Sequence, residues 1–255
     1  MWLWLILGAI AIFLLVIVFK CIRGRILLKK YQKDSLIVFG KKGKGKTLLF
    51  SEMTRNDKGG YLSNTDFKHP KGEIIEIKDV SVSPNTWEDV LNGNVTKIPR
   101  NEAWEGKAVY LDDAGVYLPN FADSLLKKNY PSLPIAYAVW RHLYNAPIHM
   151  NTQAVGRGWK MLREQADGFI QCRGCVRIFG FAFIRCTYYD RYASAEAELS
   201  PMGNRLFNGF SKAECDKFRA EHGIITDFLI FAPTWRNKYD SRYFKSVFFE
   251  EKEDK

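Results

Sequence analysis

The sequence predicts an α/β protein with a central, mostly parallel sheet, preceded by one N-terminal transmembrane helix. Three stretches carry that expectation. Residues 2–19 form an apolar run without a charge. A strand-like run, Ser35-Leu-Ile-Val-Phe39, leads into Gly40-Lys-Lys-Gly-Lys-Gly-Lys-Thr47, with Leu48-Leu-Phe-Ser-Glu-Met53 following as a helix. A second apolar run, Lys107-Ala-Val-Tyr-Leu-Asp-Asp113, ends in two carboxylates. A run of 255 residues has room for one membrane segment and one sizeable α/β domain.

The apolar run covers about 27 Å as a helix, enough for the hydrocarbon core. Trp2 and Trp4 suit one interface, and Lys20, Arg23, Arg25, Lys29, Lys30 and Lys33 crowd the other side. A cleaved signal peptide places its positive charge before the apolar stretch and ends in small residues. Here the charge comes after it. The expected arrangement is a span over 1–20, a basic juxtamembrane linker over 21–34, and everything beyond in the cytoplasm by the positive-inside rule.

Gly40–Thr47 fits G-x-x-x-x-G-K-[ST], with strand before and helix after. The pattern makes a phosphate-binding loop, or P-loop. Its glycines let backbone N–H groups of Gly40, Lys41, Lys42, Gly43, Lys44 and Gly45 curl around phosphate oxygens, and the helix N-terminus adds partial positive charge. Lys46 is expected on the β- and γ-phosphates of ATP, and the Thr47 hydroxyl on Mg²⁺. Asp112 is expected to hold Mg²⁺ through water. Asp113 stands where a base or water-positioning carboxylate is needed.

Lys58-Gly-Gly60 reads as a turn, Tyr61-Leu-Ser-Asn64 as a strand, and Gly72-Glu-Ile-Ile-Glu-Ile77 as a short strand. Asn85–Leu91 begins like a helix, and Phe121–Lys128 is a further one. After Pro131-Ser-Leu-Pro134, a helix over Ile135–Trp140 runs into Arg141-His142. Ala146–Gln153 is a strand with a polar end, which brings Gln153 near the γ-phosphate in a doubly wound sheet. Cys175–Tyr189 reads as one or two strands bending near Gly180. Ser211–His222 is a helix with a Ser211/Glu214 capping box. Aromatics and cations interleave from Arg236 to Phe249, as in a strand with a basic rim or a base-stacking surface. Residues 250–255 form a charged, disordered tail. The expected domains are the ATPase domain at 35–190 and an α+β extension of it at 191–249.

The five cysteines are odd in number and scattered, which suits a reducing compartment. Cys172-Arg-Gly-Cys175 has zinc-ligand spacing without a second pair, with Cys186 as a further thiol; reduced core thiols are the simpler expectation. Thirty-eight Lys and Arg against 28 Asp and Glu give a formal net charge of +10. Such an excess favours a polyanion, either nucleic acid or anionic lipid.

Gly40–Thr47, the Asp112-Asp113 pair, and Trp140-Arg-His-Leu-Tyr-Asn-Ala-Pro-Ile-His-Met-Asn-Thr-Gln153 resemble the zonular-occludens-toxin-like (Zot-like) assembly ATPases of filamentous phages. More broadly they resemble the FtsK–HerA P-loop superfamily, in which a helix ending in Arg-His precedes a strand ending in Gln. The resemblance covers about residues 33–190 and implies a RecA-like ATPase fold. It implies a homo-oligomeric ring, often a hexamer, with an arginine of one subunit completing the neighbour's site. Arg141, Arg157, Arg163 and Arg173 are the candidates. It implies ATP hydrolysis with Mg²⁺, phage coat and assembly proteins as partners, and the host inner membrane as the location. Two alternatives stay open: a DNA-packaging or conjugative translocase acting on DNA, and a nucleotide-binding membrane scaffold without turnover. The second is kept alive by Asp113, because many such ATPases carry Glu there.

Overall fold

A computed structural model describes residues 2–80, 92, 101–130, 133–199, 223, 225–236 and 239. Helix α1 runs over Trp2–Tyr31 and leads through a short turn to strand β1, Leu36–Phe39. The loop Gly40–Gly45 then opens helix α2, Lys46–Asn56. Strands β2 (Tyr61–Ser63) and β3 (Gly72–Ile74), helix α3 (Ile77–Val80), strand β4 (Ala108–Leu111) and helix α4 (Ala114–Tyr117) follow. Next come helices α5 (Asp123–Asn129) and α6 (Leu133–Tyr144), strand β5 (Ile148–Thr152) and helix α7 (Lys160–Arg163). Strands β6 (Gly168–Ile178) and β7 (Phe181–Tyr189), helix α8 (Tyr192–Leu199) and strand β8 (Ile225–Pro233) complete the described elements.

The strands form one eight-stranded sheet in the order β3-β2-β4-β5-β1-β6-β7-β8. From β3 to β6 every neighbouring pair is parallel, whereas β7 and β8 add on antiparallel. Strand β1 is buried on both faces, which is why it reads as an unbroken apolar run. Leu36 and Val38 belong to the layer under α1 and α2. Ile37 and Phe39 belong to the opposite layer, with Trp140 and Tyr144 of α6 and Trp159. The architecture is the mostly parallel α/β sheet of a P-loop NTPase, preceded by an apolar helix.

The apolar run and the basic stretch after it are one helix. What reads as a linker over 21–34 continues α1 to Tyr31, because Leu28 and Tyr31 pack into the core. Tyr31 stacks on Tyr188 with ring centroids 3.7 Å apart. Arg25 reaches the buried Glu52 of α2 at 3.6 Å, and Gln32 donates to Met53 O at 2.8 Å. Gln32 Nε2 also lies 2.6 Å from Asp57 Oδ1, whose other oxygen accepts the Tyr110 hydroxyl at 2.5 Å. Burial pushes the Asp57 carboxyl up to about 6, against the pull of those two hydrogen bonds. Within α1, an apolar stretch of mean hydropathy 3.0 is wholly unburied, so the helix is long and apolar enough to cross a membrane.

Other boundaries shift slightly. The strand expected over Gly72–Ile77 stops at Ile74, and Ile77 opens α3. Gly180 does lie at a bend, and the strands on either side pair from Phe169 opposite Tyr189 to Ile178 opposite Phe181. Strand β8 has no counterpart among the sequence expectations, although its buried Phe228, Ile230 and Ala232 alternate as a half-buried strand requires. The helix starts expected at Asn85 and Ser211, the aromatic stretch after Tyr239 and the tail lie outside the described residues.

Helix α1 closes along the edge strand β8. A Cβ on Gly24 would stand 1.9 Å from Leu229 O, so no side chain fits there. Gly24→Leu should therefore lower the melting temperature of the detergent-solubilised chain by several degrees, the scale of an overpacking cost of about 1–3 kcal/mol. An unchanged melting curve would show that α1 does not seat on β8.

Candidate functional site

The C-terminal ends of β1, β4 and β5 lie side by side, and the candidate site residues project from them. The loop after β1 turns sharply, with Gly43 and Gly45 at φ values of 79° and 92°. Its tightness is imposed by β6. A Cβ at Gly40 would stand 2.5 Å from Cys172 O, and one at Gly45 would stand 3.2 Å from Cys175 Cβ. Gly45 carries the left-handed turn into α2, so the first N–H groups of that helix face the loop's hollow.

Lys46 is 8% exposed, and no carboxylate pairs with it among the described residues. Its aliphatic stem is covered while its ammonium has no counter-ion, which leaves that charge open to an anion in the loop. The Thr47 hydroxyl donates to Asp112 Oδ1 at 3.3 Å. The two residues expected to share Mg²⁺ are therefore brought together across β1 and β4. Both offer oxygen, the donor that Mg²⁺ takes. Among the described residues there is no three-ligand cluster of His, Cys, Asp and Glu, so an ion here would draw its remaining ligands from phosphate and water.

Asp112 is held from three sides. Asn64, just after β2, donates to Asp112 O at 2.9 Å and accepts from Asp112 N at 2.7 Å. Asn151 of β5 donates to Asp112 Oδ1. Its own oxygen accepts from Asp113 N at 2.8 Å. Asn64 and Asn151 are site residues that the sequence did not single out as such. The available signal was an amide near the C-terminal end of each strand flanking the acidic one. Burial pushes the Asp112 carboxyl up to about 7, and the charge of Asp113 adds to it; the bonds from Asn151 and Thr47 pull the other way.

Asp113 sits in the left-handed region at φ 48° and starts α4. Asp113, Thr152, Gln153 and Arg157 line one small pocket with Gly115 and Val116. Asp113 and Gln153 are therefore brought together. Arg157 Nη1 donates to Gln153 Oε1 at 3.1 Å, which fixes the amide's orientation.

The other arginines lie elsewhere. Arg141 is at the opposite end of the strands, where its guanidinium bonds Lys33 O at 2.8 Å and Asp34 at 2.7 Å, just before β1 begins. Within its own chain Arg141 does not join Asp113 and Gln153, so the catalytic role expected of it is one that only a second chain can complete. Arg163 donates to the Tyr192 hydroxyl and lies over its ring. Arg173 donates to Thr187 at 2.6 Å and Tyr189 at 3.2 Å. Cys172 and Cys175 lie along β6 rather than in a metal knuckle, and Cys186 is directly opposite Cys172 on β7.

No family profile matches the chain, and no curated protein matches it. Among solved structures it is similar to the N-terminal domain of zonular occludens toxin from Neisseria meningitidis. The two are 15% identical, with 83% of this chain and 97% of that chain covered and a TM-score of 0.44. It is also similar to the genome-packaging NTPase B204 of Sulfolobus turreted icosahedral virus 2 in complex with AMPPCP. That pair is 15% identical, covers 81% of this chain and 95% of that chain, and has a TM-score of 0.38. The B204 DNA-packaging ATPase of Sulfolobus turreted icosahedral virus is 14% identical over 77% of this chain and 97% of that chain, with a TM-score of 0.38.

The raised Asp112 carboxyl sets a pH dependence. Between its ordinary 3.8 and about 7 the folded chain holds a proton that the unfolded chain has released. Its contribution to stability therefore falls as pH rises through that window. Asp112→Asn should raise the melting temperature of the nucleotide-free protein by several degrees at alkaline pH and by little under acid conditions. Equal effects at both pH values would show that Asp112 is ionised throughout. Binding Mg²⁺ at Asp112 should release a proton below about pH 7, so wild-type Mg²⁺ affinity should fall with acidification.

Proposed function

We propose that this chain is a membrane-anchored P-loop ATPase whose cycle drives virion assembly and extrusion through the host membrane. The observation that carries the nucleotide reading is Lys46, without a carboxylate partner among the described residues, at the turned loop beside the Thr47–Asp112 contact. A cation in a loop of turned backbone, next to two hard oxygen ligands, is a site for a polyphosphate with a divalent ion. The virion-assembly part rests on the resemblance of Gly40–Thr47, Asp112-Asp113 and Trp140–Gln153 to Zot-like ATPases.

In this reading Lys46 and the loop N–H groups bind the phosphates of ATP. Thr47 and Asp112 hold Mg²⁺, with Asn64 and Asn151 keeping the carboxylate in place. A bound Mg²⁺ neutralises phosphate charge as a Lewis acid. Asp113 accepts a proton from the attacking water, and Gln153 orients that water. Arg157 positions Gln153. The chain works as a homo-oligomeric ring, and Arg141 of one subunit reaches its neighbour if the ring sets the N-terminal strand ends of one subunit against the C-terminal strand ends of the next. α1 holds the ATPase domain on the cytoplasmic face of the membrane, beside coat and assembly proteins.

A DNA translocase is the second reading, and the net charge of +10 favours it. Hydrolysis by the full chain, measured with and without DNA, separates the two. The first expects a rate indifferent to DNA; the second expects stimulation.

Lys46→Ala should reduce hydrolysis at least about a hundredfold while the protein stays in the membrane. Hydrolysis at the wild-type rate would sink the site assignment. Gln153→Ala and Arg157→Ala should both lower kcat with little change in KM, by about tenfold or more for Gln153. Arg141→Ala should act only in the assembled ring, seen as a loss that depends on protein concentration.

A further inference from the structure

Helix α1 and strand β8 run antiparallel, which fixes where the membrane lies relative to the sheet. Tyr31 packs against Phe228, with ring centroids 6.1 Å apart. Gly24 meets Leu229. Farther toward the N-terminus, Leu14, Ile17 and Val18 line an apolar cavity with Ile230 and Phe231. Moving up α1 into the apolar run is thus moving along β8 toward Pro233. Pro233 pairs with Phe181, so the β6–β7 turn lies on the membrane side.

One face of the β7–β8 pair changes character along that direction. At the membrane side Phe183, Phe231, Phe181 and Trp235 form a continuous aromatic ladder. Successive ring centroids lie 5.4, 5.5 and 4.8 Å apart. The turn beyond it is apolar and bare: Phe179 is 95% exposed and Trp235 50% exposed. One step back on the same face stand Arg185 and Thr187. Here Lys20 and Arg23 of α1 meet Arg173 and Arg185 around a cavity of about 350 Å³, whose one carboxylate is Asp227. Asp227 already accepts the Thr187 hydroxyl at 2.6 Å.

The change from apolar to cationic therefore falls at the same level on two separate elements. On α1 it falls between Phe19 and Lys20; on the sheet it falls between Phe183 and Arg185. Aromatic side chains at the headgroup boundary with cations just behind them match the depth profile of a bilayer leaflet. Basic pockets beside a membrane helix suit anionic headgroups.

We propose that this face is a second membrane contact. The Phe179 turn and Trp235 enter the cytoplasmic leaflet beside α1, and the cavity between Lys20, Arg23, Arg173 and Arg185 holds the phosphate of an anionic phospholipid. The proposal rests on α1 spanning the bilayer, and alkaline carbonate extraction tests that separately. A chain released by carbonate fails at the span and takes this proposal with it.

The test uses the full chain in nanodiscs of phosphatidylcholine, alone or mixed with phosphatidylglycerol, with retained lipid read by native mass spectrometry. Wild type should retain phosphatidylglycerol over phosphatidylcholine. Arg185→Glu should weaken that preference, and Arg173→Glu with Arg185→Glu should lower it by about tenfold. Lys128→Glu, an exposed charge far from the cavity, should leave it intact. Retained nucleotide binding checks that each variant is folded. Because Arg173 also bonds Thr187 and Tyr189, Arg185→Glu alone decides if the double variant does not fold. Brominated acyl chains should quench wild type more than Trp235→Phe, the difference being Trp235 itself. The proposal is overturned by equal retention of the two lipids, by retention unchanged in Arg185→Glu, or by an unquenched Trp235. Displacement of the lipid by millimolar inorganic phosphate also overturns it, since the cavity is then a site for soluble phosphate.

Discussion

The close approach of Gly24 to the backbone of Leu229 is the contact on which the rest of the arrangement depends. A sheet with β8 at its border would present a row of unpaired backbone groups to solvent. Helix α1 covers that border, and the missing side chain at Gly24 lets it come close enough to do so. From there the coupling runs inward. Arg25 reaches Glu52 on the helix that the phosphate-binding loop opens. Gln32 touches that helix, Asp57 and Tyr110, and Tyr110 belongs to the strand that ends in Asp112. The apolar helix and the candidate nucleotide site are thus parts of one packed unit, not a domain on a tether.

Within that unit the site is a matter of neighbouring strand ends. Parallel strands point their C-termini the same way, so residues far apart in sequence arrive together. Asn64, Asp112 and Asn151 come from three such ends and bind each other directly. The two amides hold a buried carboxylate beside a second acid, an arrangement that leaves the free site short of positive charge. Lys46 supplies one positive charge, and the divalent ion of the proposed reading is the complement that remains.

Much of this was legible in the chain itself. The eight residues of the loop carry their own geometry, since only glycine fits where β6 passes, and the pattern names the contact partners in advance. The acidic strand end and Gln153 were legible for the same reason: in a parallel sheet, chemistry collects at the strand ends. Other features depended on tertiary packing. The basic stretch after Phe19 looks like a linker by composition, yet Leu28, Tyr31 and Gln32 find burial against β7, β8 and α2. Strand β8 is short of obvious punctuation and is recognisable only through its partner. Arg141 lies in the same block as Gln153, but helix α6 and strand β5 run in opposite directions along the sheet. That antiparallel path carries the guanidinium to the far end of the strands, beside Asp34.

The loop holds more positive charge than phosphate binding alone demands. Beyond Lys46 it carries Lys41 and Lys42, both exposed, and Lys44. In the proposed membrane-anchored reading, helix α1 sets the sheet with these strand ends toward the bilayer. At an anionic leaflet of about −30 mV a tetravalent nucleotide is depleted roughly a hundredfold at the surface. The three extra lysines oppose that depletion within the Debye length, about 8 Å at physiological salt. An ATPase held where the proposed reading puts it would recruit its nucleotide against the membrane's own field, and the composition of Gly40–Thr47 would supply a local counter-field at the point of capture.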